Sequence, residues 1–202
     1  MIRSISIALA AVALSACVSV LPEQETPEGL YRFGPMTARH SVDATVAIRE
    51  PDASRLFGGR AIASEDASGA IRLVRGVEWA DRATRLMQIS ILASLDDAGE
   101  GVAVAFESGV LADYELVWSV EDFMLTGTEA HCGLEATLID ARARTVVAQT
   151  NVTTSASASG STNAARALAL AEAGRACVGE VSAFVAEKAV QSEEPSEQPS
   201  DS

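Results

Sequence analysis

The sequence predicts an α+β fold, a largely antiparallel sheet with two helices packed on one face. Three observations carry this expectation. Short strand-like runs separated by Gly and Pro fill the segment from Leu30 to Gly76, and the apolar period then changes once to a helical spacing. Long alternating segments after Asp113 are followed by an alanine-rich stretch with a second helical stripe.

In order, "LYRF", "ATVAIRE", "GRAIAS" and "GAIRLVRG" read as strands. In "EWADRATRLMQISILASLDD" the residues Trp79, Ala83, Leu86, Ile89 or Ser90, and Ala93 recur at helical spacing. Trp79 is read as the anchor of that helix start in the core rather than a ligand-stacking residue. Asp96 and Asp97, before Gly99, read as solvated turn residues. In "DYELVWSVEDF" Tyr114, Leu116, Trp118 and Val120 share one face of a strand, and Glu115, Ser119 and Glu121 the other. "HCGLEATLID" and "TVVAQTNVT" pair as a hairpin through "DARAR", with Leu134, Ala136 and Leu138 facing the core. After "TSASASGST" a helix from about Asn163 to Ala189 buries Leu168, Ala171, Val178, Val181 and Val185. Its alanines permit close approach to a sheet.

The ends of the chain are of a different character. Arg3, an apolar run from Ile5 to Leu14, and the small residues Ser15 and Ala16 have the form of a secretory signal. About ten apolar residues fall well short of the roughly 20 a membrane-crossing helix needs. Cys17 directly follows, so "LSAC" reads as a bacterial lipobox, with residues 1–16 removed and Cys17 carrying the lipid. "VSVLPEQETPEGL" then reads as a tether over 17–29, and residues 30–189 as one domain. Two or three acyl chains, at about 0.8 kcal/mol per buried CH₂, hold a protein far more firmly than one. Val18 stands where an inner-membrane retention signal would place Asp, which points to the periplasmic face of the outer membrane. The tail 190–202 carries four acids in "QSEEPSEQPSDS" and is expected to be disordered and solvated.

Composition excludes several functions. The net charge of -13 sets nucleic acid aside as a partner. Lys188 is the only lysine and follows no glycine-rich loop, so the chain is not a P-loop ATPase. The two histidines, His40 and His131, belong to no HxH or HxxxH spacing, and strand alternation points His131 and Cys132 to opposite faces. Glu121 and Asp122, adjacent on a strand, would face opposite ways and form no acid/base couple. No GxSxG elbow occurs, and Asn151-Val152-Thr153, a formal glycosylation sequon, carries no weight behind a bacterial lipobox. The chain is therefore read as no enzyme, without catalytic residues, cofactor or metal. Cys132 and Cys177 form an even pair in an oxidising compartment, where a disulfide is favoured over two separate buried thiols. Closing a loop of about 46 residues would contribute roughly 4 kcal/mol in the chain-entropy model.

The series "YRFGP", "VAIREP" with "RLFGGR", "VEWADRATRLMQ", "LADYELVWSVEDF" and "LEATLIDARARTVVAQT", closed by the alanine-rich helix, resembles the ABC-type transport auxiliary lipoproteins. That group includes the paraquat-inducible lipoprotein and the auxiliary component of cholesterol-type transport systems. Tyr31, Trp79, Leu86, Asp113, Tyr114, Leu116 and Phe123 are the structural residues of the matching blocks. The resemblance implies a docking or capping subunit without chemistry of its own. Its partners would be the membrane, through the lipid anchor, and the MCE-domain protein of an ABC lipid transporter, with further copies of itself as a third partner. The rival reading is a free-standing lipid carrier or assembly chaperone, which an apolar lumen between sheet and helices would favour.

Overall fold

Long alternating segments, joined by turn-forming residues, give three long strands. The computed structural model describes residues 26–36, 39–96 and 99–190, so Cys17, most of the tether, Asp97 and the acidic tail lie outside the described residues. Strands β9 (Tyr114–Thr126), β10 (Glu129–Asp140) and β11 (Thr145–Ser157) form a continuous antiparallel ribbon. Gly127, at φ 62°, supplies the left-handed backbone of the two-residue turn between β9 and β10. Between β10 and β11, Asp140 Oδ1 accepts from the backbone N–H of Arg142 at 2.9 Å and of Ala143 at 2.7 Å. That turn chemistry is what "DARAR" encodes.

Shorter strands extend the ribbon. β5 (Ala61–Glu65) pairs parallel to the last part of β9, β6 (Ile71–Trp79) pairs antiparallel to β5, and β1 (Gly29–Tyr31) lies parallel to β6. At the start of β9, β3 (Val46–Ile48) and β4 (Asp52–Ala53) add in parallel, and β8 (Ala103–Ala105) pairs with β3. The result is a nine-stranded mixed sheet whose long pairings are antiparallel. A separate parallel pair joins β2 (His40–Ser41) to β7 (Leu95–Asp96). In the β5–β6 turn the Asp66 carboxyl accepts from Ser68 and Ala70, and these bonds, the Ser68 hydroxyl first, lower its pKa to about 2.

Two helices cover one face, as the sequence predicts. Helix α1 (Arg55–Gly58) is a single turn, while α2 (Ala83–Ser94) and α3 (Asn163–Lys188) are the covering pair. Thr162 caps α3, its hydroxyl accepting from Ala165 N–H at 3.2 Å. The hydroxyls of Ser94 and Ser182 meet where the two helices cross. Leu116, Leu125, Leu134, Leu138, Met87, Ile91, Val178 and Val181 fill the space between sheet and helices as one buried cluster.

Three expectations need correction. Trp79 is buried, but it ends β6 rather than opening a helix, which begins four residues later. Leu168 is 59% exposed; Leu170 takes the buried position, because small residues let α3 bury both flanks and expose only a narrow stripe. Glu115 lies on the face opposite the helices, as the alternation predicts, and is only 4% exposed. A register shift in β9 opposite Gly133 interrupts alternation at Glu121 and Asp122, and the Cβ atoms of both lie within 4 Å of where a Gly133 side chain would stand.

Candidate interaction surface

The residues of the recognised blocks converge on structural work. Trp79, Phe33 and Phe123 form a three-way aromatic cluster with ring centroids 5.4–5.7 Å apart, Trp79 stacked on Phe123 and Phe33 edge-on to both. Gly174 of α3 sits directly over it; a Cβ there would lie 3.0 Å from Phe123 and 3.1 Å from Phe33. Tyr31 and Leu86 pack half-buried against the same core, and Leu116 is fully buried. The Tyr114 hydroxyl donates to Val190 O at 2.7 Å, clasping the chain just beyond α3. Asp113 Oδ2 accepts from Thr45 N–H, and Oδ1 accepts from Arg142, each at 3.1 Å. Asp113 thereby ties the start of β3 and the β10–β11 turn to β9.

Around Asp113 the sheet end carries a connected polar cluster. Glu115 receives the guanidinium of Arg49 on one oxygen and that of Arg144 on the other, the latter at 3.2 Å. These two arginines shield it from water, and Arg49 lies 3.7 Å over the Phe106 ring. Gln88 donates to Ile48 O at 2.9 Å and to Glu107 at 3.1 Å, joining α2 to the segment before β9. The Glu107 carboxyl is held below its ordinary range, chiefly by its own backbone N–H. From this braced base projects the loop after Phe106, where Val110 is half exposed and Leu111 is 96% exposed.

The described chain begins at the other end of the sheet. Thr26, Pro27 and Glu28 share an open depression of about 780 Å³ with Gly76 and Asn163, and Arg166 of α3 donates to Gly127 O in the β9–β10 turn. The two ends are separated by the 13 residues of β9, roughly 40 Å at about 3.4 Å per residue.

Cys132 and Cys177 are brought together from β10 and α3, both buried, as free thiols; Cys177 Sγ lies 3.5 Å from Cys132 O. Contact with the Cys177 thiol, then burial, raises the Cys132 pKa well above its ordinary value. His131 and His40 lie on separate strands, and His131 turns away from Cys132. Asp122 Oδ1 is buried without a hydrogen-bond partner among the described residues, and desolvation raises that carboxyl's pKa. No group of three or more His, Cys, Asp or Glu able to hold a metal occurs among the described residues. No described helix is long and apolar enough to cross a membrane. Sequence alternation missed the buried Glu115, since only its long-range arginine partners distinguish it from a solvated strand residue.

The model of the ABC-type transport auxiliary lipoprotein component matches residues 33–186, nearly the whole folded domain. The chain belongs to this family. No curated protein matches it. Among solved structures it is similar to a Xanthomonas campestris protein of the DUF330 family, at 22% identity and a TM-score of 0.66, covering 79% of this chain and 96% of that one. It is also similar to an uncharacterized protein at 8% identity and a TM-score of 0.62, covering 79% and 99%. At such identities these likenesses establish a shared fold. Within the family fold, the block around Trp79 and Phe123 builds the core, and Asp113 and Tyr114 lock the end that carries Leu111.

Proposed function

We propose that this family member is the auxiliary subunit of an ABC/MCE-type lipid transport system, lipidated at Cys17 and held at the periplasmic face of the outer membrane. It docks on or caps the far end of the transport apparatus and performs no chemistry of its own. The observation that carries this reading is the placement of Leu111. An almost fully exposed leucine crowns a rigid end of the domain, roughly 40 Å of strand away from the end where the chain arrives from Cys17. A domain tethered at one end presents the opposite end to a partner reaching across the periplasm. Val110 and Leu111 together leave that end with an apolar tip for a partner to cover. The lipid-carrier reading draws no support, because side chains fill the space between sheet and helices.

The test compares anchor loss with loss of polar groups. Cys17→Ala should leave the domain folded, abolish palmitate labelling, release the protein from the membrane fraction and sensitise cells to detergent. Retention at one membrane supplies the effective concentration that docking needs. Alanine at His40, His131 or Glu121 should preserve detergent resistance at normal abundance. Asp113→Ala is the demanding case, because it removes two ties at the docking end and weakens function through geometry. Complete loss of function from one folded, anchored His131 or Glu121 variant contradicts the proposal, as does equal palmitate labelling of parent and Cys17→Ala.

A further inference from the structure

We propose that β11 is a self-association edge, through which two copies of the chain pair antiparallel about Asn151 and continue one sheet into the next. The inference goes beyond the docking role and does not depend on it. β11 is 13 residues long, lies at the end of the strand order, and pairs only with β10 on its inner side. Its sequence, TVVAQTNVTTSAS, holds no charge, no proline and no glycine. Soluble proteins ordinarily blunt a long edge with lysine, proline or a short strand, because its free N–H and C=O groups are a template for another strand. Among the described residues the sheet's other outer strands, β1 and β8, are only three residues each, whereas β11 has one irregularity, at Val147, and then runs regular and uncharged from Ala148 to Ser157.

The occupant follows from chemistry on both sides of the edge. The chain's own terminal segments are poor strands. The tail carries Pro195 and Pro199 among acids, and the tether carries Pro22 and Pro27. A second β11 is suited to the position. A two-fold at Asn151 sets Gln149 opposite Thr153 and Ala148 opposite Thr154 of the second copy, with no like charges facing. Gln149 already makes such a cross-strand bond, donating to Thr137 Oγ1 at 3.1 Å. The nearest acid on the open face is Glu135, which pairs with Asn151. Three strand spacings separate the two Glu135 residues in the pair, about 14 Å, beyond the screening length of roughly 8–10 Å at physiological salt. A highly acidic protein thus meets itself where its charge is least felt. The Thr154 hydroxyl donates to Ala173 O at 2.7 Å, fixing α3 over β11, so the meeting edge is two layers deep. The regular part of the edge, Ala148 to Thr154, about 24 by 20 Å, gives roughly 500 Å² per copy, which reaches the ~1,000 Å² total of a specific interface.

Single cysteines in the full-length lipoprotein, oxidised mildly in intact envelopes, test this register. Asn151→Cys places two thiols across the two-fold and should give a reducible dimer at least tenfold above the parent's background. Ser155→Cys should not, because in that register the two copies of residue 155 stand eight residues apart, about 27 Å. Asn151→Lys with Thr153→Lys should halve the particle mass measured by light scattering in detergent. Equal crosslinking at 151 and 155, no dimer at 151, linkage of Asn151→Cys to a different protein, or an unchanged mass in a folded double-lysine variant each overturns the proposal.

Discussion

Gly174 and Gly179 lie one and a half turns apart on α3, and the same change at each should shift stability in opposite directions. In a helix interior Gly→Ala gains about 1 kcal/mol of intrinsic propensity. At Gly179 the new methyl group would meet only Met36 Cε at 4.0 Å, so the gain should appear nearly whole. At Gly174 it would stand 3.0 and 3.2 Å from two Phe123 ring atoms and 3.1 Å from Phe33. Those rings cannot swing aside, because each is fixed against the other and against Trp79. Overpacking a core of this kind costs about 1–3 kcal/mol. Gly174→Ala should therefore be destabilised by about 1 kcal/mol net, leaving the variants roughly 2 kcal/mol apart. With a urea dependence of about 2 kcal/mol per molar, their midpoints should differ by about 1 M. Unlipidated Cys17→Ala protein, followed by tryptophan fluorescence, reports on this directly, since Trp79 is in the cluster. If Gly174→Ala raises the midpoint as much as Gly179→Ala, the aromatic cluster is not the rigid body described above.

Two further outcomes follow from buried groups. Protein matured in the oxidising periplasm should yield a linked Cys132–Cys177 peptide on non-reducing mapping; two free thiols there would remove the disulfide expectation, since the residues already touch without a bond. Asp122→Asn should stabilise the protein at neutral pH. The native carboxyl's pKa is raised by desolvation, so its ionised form costs stability above that pKa, and the cost disappears as pH falls below the ordinary value of 3.8. Urea midpoints of parent and variant should therefore converge in acid; a constant offset at all pH values would contradict this sign.

Much of the sheet was legible because local chemistry and pattern agree there. Asp140 and Arg144 encode a turn, and Leu134, Ala136 and Leu138 alternate inward beside it. The parallel additions of β3, β4 and β5 to β9 were not legible, since nothing local distinguishes which partner a three-residue strand will choose. Trp79 was misplaced for a related reason: a strand ending four residues before a helix continues the helical spacing by coincidence. Of the interaction end, the sequence marked Asp113 and Tyr114 as important through family resemblance but gave no sign that Glu115 is buried between Arg49 and Arg144. Leu111 reads in the sequence as one more apolar residue, and only the surrounding backbone makes it a tip.

The most direct measurement places a photo-crosslinking amino acid at Leu111 in the lipidated protein, irradiates intact envelopes and identifies the captured chain. A matched probe at Thr128, in the exposed turn at the opposite end, serves as comparison. The Leu111 probe should capture an MCE-domain component of an ABC lipid transporter, and the Thr128 probe should not. Capture of that component equally from both ends, or of none from Leu111 in cells where the transporter is present, contradicts the docking role.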